Sequence, residues 1–181
     1  MENNFEQKTN LLQIALKYAL ILSMATIAIS LIGFITNTTT SYAWLWSLTN
    51  YTIIVICVTF AMKARKDELL NGYIQYGQAL GTGTLVALFA GILMGAWQLV
   101  YQKFIDPEFF ERIITETKKR MIEQETAEDK IDITIAAMQK MRNPAVIYFS
   151  SAFGILFVGF IFSLIIAIFV KKNDPSTTYT E

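Results

Sequence analysis

Four stretches of this chain, residues 18–36, 44–62, 77–101 and 147–170, contain no Asp, Glu, Lys or Arg. Each is at least 19 residues long, and about 20 apolar residues in a helix cross a hydrocarbon layer of about 30 Å. Fifteen basic and fifteen acidic residues are available and none enters these stretches. Inside lipid the backbone must satisfy its own hydrogen bonds, which leaves helices or closed barrels. Continuous apolar runs without alternation exclude the barrel. The expected fold is all-α, with four transmembrane helices.

The triplet Ser41-Tyr42-Ala43 has the small residues of a signal-peptidase site. The apolar run before it is longer than a signal core, and Glu2 and Glu6 precede it where positive charge is usual. A retained first span is therefore expected. Orientation follows from Lys and Arg beside the spans. Lys8, Lys17, Lys63, Arg65, Lys66, Lys171 and Lys172 fall on one side, and the short connection 37–43 has none. Both termini, with the tail 171–181, are expected in the cytoplasm. Trp44, Trp46, Trp97, Tyr42, Tyr101 and Tyr148 lie at the opposite ends of their spans, the depth that Trp and Tyr favour.

Span three is the most unusual segment. Gly77, Gly81, Gly83, Gly91 and Gly95 are five of the nine glycines in the chain, although glycine costs a helix about 1 kcal/mol against alanine in water. Ala79, Gly83, Ala87, Gly91 and Gly95 recur at every fourth residue, and Gly77-x-x-x-Gly81 begins a parallel row. Such rows form grooves in which a second helix backbone can lie close. A four-residue step drifts about 40° around the helix, so different partners are expected for the two halves of the row. Span four offers a complement in Ser150-x-x-x-Gly154 and in Gly159, Ser163 and Ala167. Pairing of spans three and four is the simplest expectation, and the packing residues are Gly77, Gly81, Gly83, Ala87, Gly91, Gly95, Gly154, Gly159 and Ser163. Gly81-Thr82-Gly83 partly matches a dinucleotide fingerprint, but it lacks the third glycine and a preceding strand. Packing is the better reading.

Chemistry-bearing groups are sparse. The chain has no histidine and one cysteine, Cys57, which excludes a Cys/His metal site and an internal disulfide. Asn50, Thr52, Thr59, Gln78, Thr82, Thr84, Gln98 and Ser163 are the polar groups within the spans. Interhelical hydrogen bonding is their expected use. No catalytic, cofactor or metal site is expected, and a net charge of zero gives no footprint for nucleic acid.

The segment 102–146 carries eight basic and nine acidic residues and reads as a helical hairpin outside the membrane, between spans three and four. Asp106-Pro107-Glu108 has the order of an N-cap, a proline at the first helical position and a first-turn acid. Phe110, Ile113, Ile114, Met121 and Ile122 form one apolar stripe, and Ile131, Ile135, Met138 and Met141 another. Thr126-Ala127-Glu128-Asp129 resembles a capping box opening the second helix. Glu108–Arg112 and Glu116–Arg120 are spaced for salt bridges along a helix. Pro107 and Pro144 are expected to mark matched kinks, and the two stripes are expected to pack on each other.

RKDELLNGYIQYGQALGTG before span three, KFIDPEFFE at the start of the hairpin and MRNPAV before span four occur in that order. Together they resemble a bacterial family of small four-span membrane proteins described as a domain of unknown function. The resemblance covers residues 14–170. It implies this fold and an inner-membrane location, and it transfers no catalytic or ligand residue. The expected role is a non-enzymatic scaffold or small subunit in the lipid bilayer, acting through helix packing and the hairpin. Its partner would be a second copy or another membrane protein. The alternative is a small carrier or channel for a neutral or lipophilic compound, with Thr52, Thr59 and Gln98 as candidate linings.

Overall fold

The computed structural model describes residues 2–36, 38 and 43–173, with side chains from Asn10 onward except at residue 43. The triplet at 41–43, Tyr42, most of the connection 37–43, the Lys8 side chain and the tail beyond 173 lie outside what is described. Six α-helices follow one another: α1 (Glu2–Thr36), α2 (Ala43–Leu69), α3 (Tyr76–Val100), α4 (Phe109–Glu123), α5 (Glu128–Lys140) and α6 (Pro144–Val170). A π-helical turn, Tyr101–Ile105, continues α3. Among the described residues there is no strand, and the fold is all-α as expected.

Among the described residues, four segments are long and apolar enough to cross a membrane: Asn10–Thr36, Trp44–Leu69, Tyr76–Ile105 and Pro144–Val170. They are the pattern of a multi-pass membrane protein. All four overrun the uncharged stretches. A charge marks where hydrocarbon ends, while a helix continues until its backbone is broken, and Lys63, Arg65 and Lys66 all remain helical in α2. That helix stops at Asn71 and Gly72, with φ of 48° and 85°. There the Gly72 amide donates to the Lys66 carbonyl at 2.9 Å, a left-handed helix ending that glycine adopts without a side-chain penalty.

The chain forms two compact units. The first holds Met1–Leu93 and Ala152–Glu181, so it contains α1, α2, most of α3 and most of α6. Its core joins Ala15, Ala19 and Leu22 of α1 to Val58, Ala61 and Met62 of α2, with Ala79, Val86 and Ala90 of α3 and Ala167 of α6. Small side chains dominate where the helices meet. Bulky ones such as Met24, Ile35, Phe60 and Phe169 are exposed, as a lipid-facing surface requires. The loop after α2 is tied to the end of α6, because Ile74 and Lys172 exchange two backbone hydrogen bonds at 2.9 Å. Ile74 itself is fully buried.

The second unit, Met94–Ser151, contains the end of α3, the π turn, α4, α5 and the start of α6. α4 packs on α5, burying Ile114 and Ile131, while Ile122 and Met141 of the expected stripes are exposed. Both expected caps differ. α4 begins at Phe109 with Glu108 as its N-cap, and α5 is preceded by Ala127, in each case without a side-chain cap. The π turn is the cause at the first site. It closes with the Asp106 amide donating to the Tyr101 carbonyl at 2.8 Å, which leaves Asp106 ending one helical segment rather than starting the next. Pro144 opens α6 instead of kinking it. The Asn143 carboxamide accepts from the Ala145 amide at 2.9 Å, an N-cap followed by proline at the first helical position.

Candidate helix-packing site

Where α3 meets α6, glycine removes the atom that would keep the backbones apart. In the first unit, a Cβ placed on Gly91 would lie 2.5 Å from the Ala152 carbonyl oxygen. A Cβ on Gly83 would collide with the Ser163 side chain and lie 2.7 Å from Met62 Cε of α2. From the other helix, a Cβ on Gly159 would come within 2.5 Å of Ala87 Cβ. In the second unit, a Cβ on Gly95 would lie 2.9 Å from the Tyr148 carbonyl oxygen. Each of these glycines is buried, as are Ala87 and Ser163. Gly77, Gly81 and Gly154 are different, since a Cβ on any of them would meet nothing within 4 Å.

Within the first unit the row does not divide between partners at Ala87, because Gly83, Ala87 and Gly91 all meet α6. The contacting residues of α6 are 163, 159 and 152. A seven-residue step reverses the drift of a four-residue step and keeps the contact on one face. The same change of phase takes Gly154 off the seam.

A second small row, not among the expected packing residues, lies on α1. Ala15 and Ala19 of α1 are fully buried and Ser23 is 3% exposed, and α1 packs along α2. Four-residue spacing of small residues, the signal used for span three, would have found it.

Polar groups in the spans mostly serve their own helix. Thr52, Thr59, Thr84 and Ser163 donate to the carbonyls of Leu48, Val55, Leu80 and Gly159 at 2.6–2.8 Å. Asn50 Nδ2 donates to the Trp46 carbonyl at 2.9 Å. Hydroxyls one turn along a helix find these carbonyls without help from a neighbour. Arg65 is the exception. Read from sequence as a flanking charge, it lies on α2 and reaches α3, donating to the Gln78 carbonyl at 2.6 Å and to Thr82 Oγ1 at 2.9 Å. Thr82 is fully buried and donates in turn to the same Gln78 carbonyl at 2.8 Å.

The second unit holds several ion pairs. Asp106, 3% exposed, forms an ion pair with Arg112 and accepts from the Tyr101 hydroxyl at 3.5 Å. The Tyr101 ring meets that of Phe109 edge-on, with centroids 5.7 Å apart. Arg142 joins Glu111 at 2.6 Å, and Arg120 joins Glu116 at 3.3 Å. Arg112 therefore pairs with Asp106 rather than with Glu108, four residues back. No group of three or more His, Cys, Asp or Glu side chains converges among the described residues.

A family described as "Protein of unknown function (DUF4199)" matches residues 17–172. The chain belongs to this family. The matched segment of DUF4199 runs from the basic residue before the first charge-free stretch to the one paired with Ile74, so it includes all four apolar stretches and the hairpin. No curated protein and no solved structure matches the chain.

Proposed function

We propose that this chain is a non-enzymatic scaffold or small subunit of a larger assembly in a bacterial inner membrane, with both termini in the cytoplasm. It works by helix packing, against a second copy or against another membrane protein. The observation that carries this reading is the division among the glycines. Gly83, Gly91, Gly95 and Gly159 are spent within the chain, while Gly77, Gly81 and Gly154 offer open backbone of the same kind. Around Gly154, Phe153 and Phe157 are exposed and stacked, with centroids 6.3 Å apart. Large rings beside a small gap give a second helix both area and close approach. The basic residues flanking α2 and α6 support the orientation.

The carrier reading has less support. Thr52 is exposed and bonded to its own helix, and Cys57 is 6% exposed among core side chains.

Leucine at Gly77, Gly81 and Gly154 together provides the test, because a Cβ at these sites meets nothing within 4 Å in the protomer. In lipid nanodiscs the wild type is expected to associate and the triple variant to be monomeric with unchanged helix content. A monomeric wild type found without any copurifying protein, or a triple variant that associates like the wild type, would overturn the reading.

A further inference from the structure

Ion pairing divides sharply between the two units. All four ion pairs among the described residues lie between Asp106 and Arg142. The first unit has Lys17, Lys63, Arg65, Lys66, Lys171 and Lys172 among its described side chains, against only Asp67 and Glu68, and no ion pair joins them.

Arg65 stands apart within this group because it is fixed in place. One terminal nitrogen of its guanidinium, Nη1, is committed to the Gln78 carbonyl and Thr82 Oγ1. The other terminal nitrogen and Nε make no hydrogen bond or ion pair among the described residues. A half-buried guanidinium is thus held by two neutral acceptors, its charge uncompensated and the rest of its donor fork unspent. A fork of that geometry matches phosphate oxygens.

Two further cations share this end. The Gly72 amide caps the helix at the Lys66 carbonyl, and the adjoining Tyr73 ring lies 5.3 Å from Lys172 Nζ. Ile74 then pairs with the Lys172 backbone. Depth is consistent with a headgroup. Helix α2 contains both Trp44 and Arg65, and their separation along it is roughly 31 Å at the usual helical rise, close to the thickness of the hydrocarbon layer. With Trp44 at one interface, Arg65 reaches the other.

We propose that this end of the first unit binds the phosphate of an anionic phospholipid, with Arg65 as its fixed donor and Lys66 and Lys172 as the surrounding field. Basic clusters at helix ends attract such headgroups, each cation near the surface contributing about fivefold in affinity. The proposal requires membrane insertion but not self-association, so it can fail independently of the packing role.

Native mass spectrometry of the full chain in detergent tests it, with phosphatidylglycerol and phosphatidylcholine of identical acyl chains as probes. The wild type is expected to retain phosphatidylglycerol in preference. Arg65→Gln is expected to reduce that retention at least about fivefold, whereas Lys118→Gln, on the exposed face of α4, leaves it unchanged. Arg65→Lys keeps the charge without the fork, and its retention is expected to fall between those of the wild type and Arg65→Gln. Equal retention of the two lipids by the wild type would overturn the proposal, whatever the variants do. So would Arg65→Gln binding like the wild type, or Lys118→Gln losing as much. Inorganic phosphate forms the last arm. If it displaces the lipid and remains bound itself, the site belongs to free phosphate and the lipid assignment is wrong.

Discussion

Gly91 and Gly81 are the same residue on the same helix, yet substitution at the two should act in opposite directions. A methyl group on Gly91 would press on the Ala152 carbonyl at 2.5 Å, and a backbone oxygen cannot rotate away as a side chain can. Overpacking of that kind costs about 1–3 kcal/mol. Gly81 has nothing within 4 Å, so alanine there gains up to about 1 kcal/mol from helix propensity. Thermal unfolding in detergent should rank Gly81→Ala at or above the wild type and Gly91→Ala below it, and the reverse order would refute the assignment of the seam. The glycine row itself was legible, because spacing alone determines which residues share a helix face. Which glycines a partner covers was not legible. That depends on the phase of α6, whose contacts step from 163 to 159 to 152. For the same reason leucine at Gly91 and Gly95 would report on internal packing rather than on association.

At the scale of elements, α4 and α5 show how far a local rule carries. The order Asp106-Pro107-Glu108 looks like a helix start because capping rules see only neighbours in sequence. The π turn from Tyr101 to Ile105 shifts the start of α4 to Phe109 and leaves Asp106 buried against Arg112 and Tyr101. Removing a hydrogen bond to a charged group costs about 1.5–3 kcal/mol, and Arg112→Ala leaves the Asp106 carboxylate without its cation. Hydrogen exchange across α4 and α5 should therefore speed up in Arg112→Ala and stay near wild-type rates in Glu108→Gln, whose carboxylate is exposed and unnecessary to that pair. Equal acceleration in both variants would restore the pairing inferred from spacing. The self-packing of the two stripes was legible, although Ile114 and Ile131 alone complete their burial. A short hairpin has too little surface to cover Ile122 and Met141 as well.

For the whole molecule, the membrane character was legible from the start, since excluding every charge from four long stretches has no other economical explanation. The helices extend beyond those stretches because a backbone stays helical in the headgroup layer, and α1 begins as early as Glu2. Less visible was that α3 would be the most enclosed span. Half of its most apolar window is buried, against 17% for α6. In lipid, close approach of small residues holds helices together where hydrophobic driving force is absent, so the least bulky helix becomes the one its neighbours surround. A helix of ordinary bulk would show those faces to acyl chains. Proton–proton contacts of Gly91 in a lipid nanodisc, observed by NMR, separate these cases directly. Cross-peaks from the Gly91 α-protons to Ala152 are predicted, and cross-peaks to lipid acyl protons in their place would contradict the account.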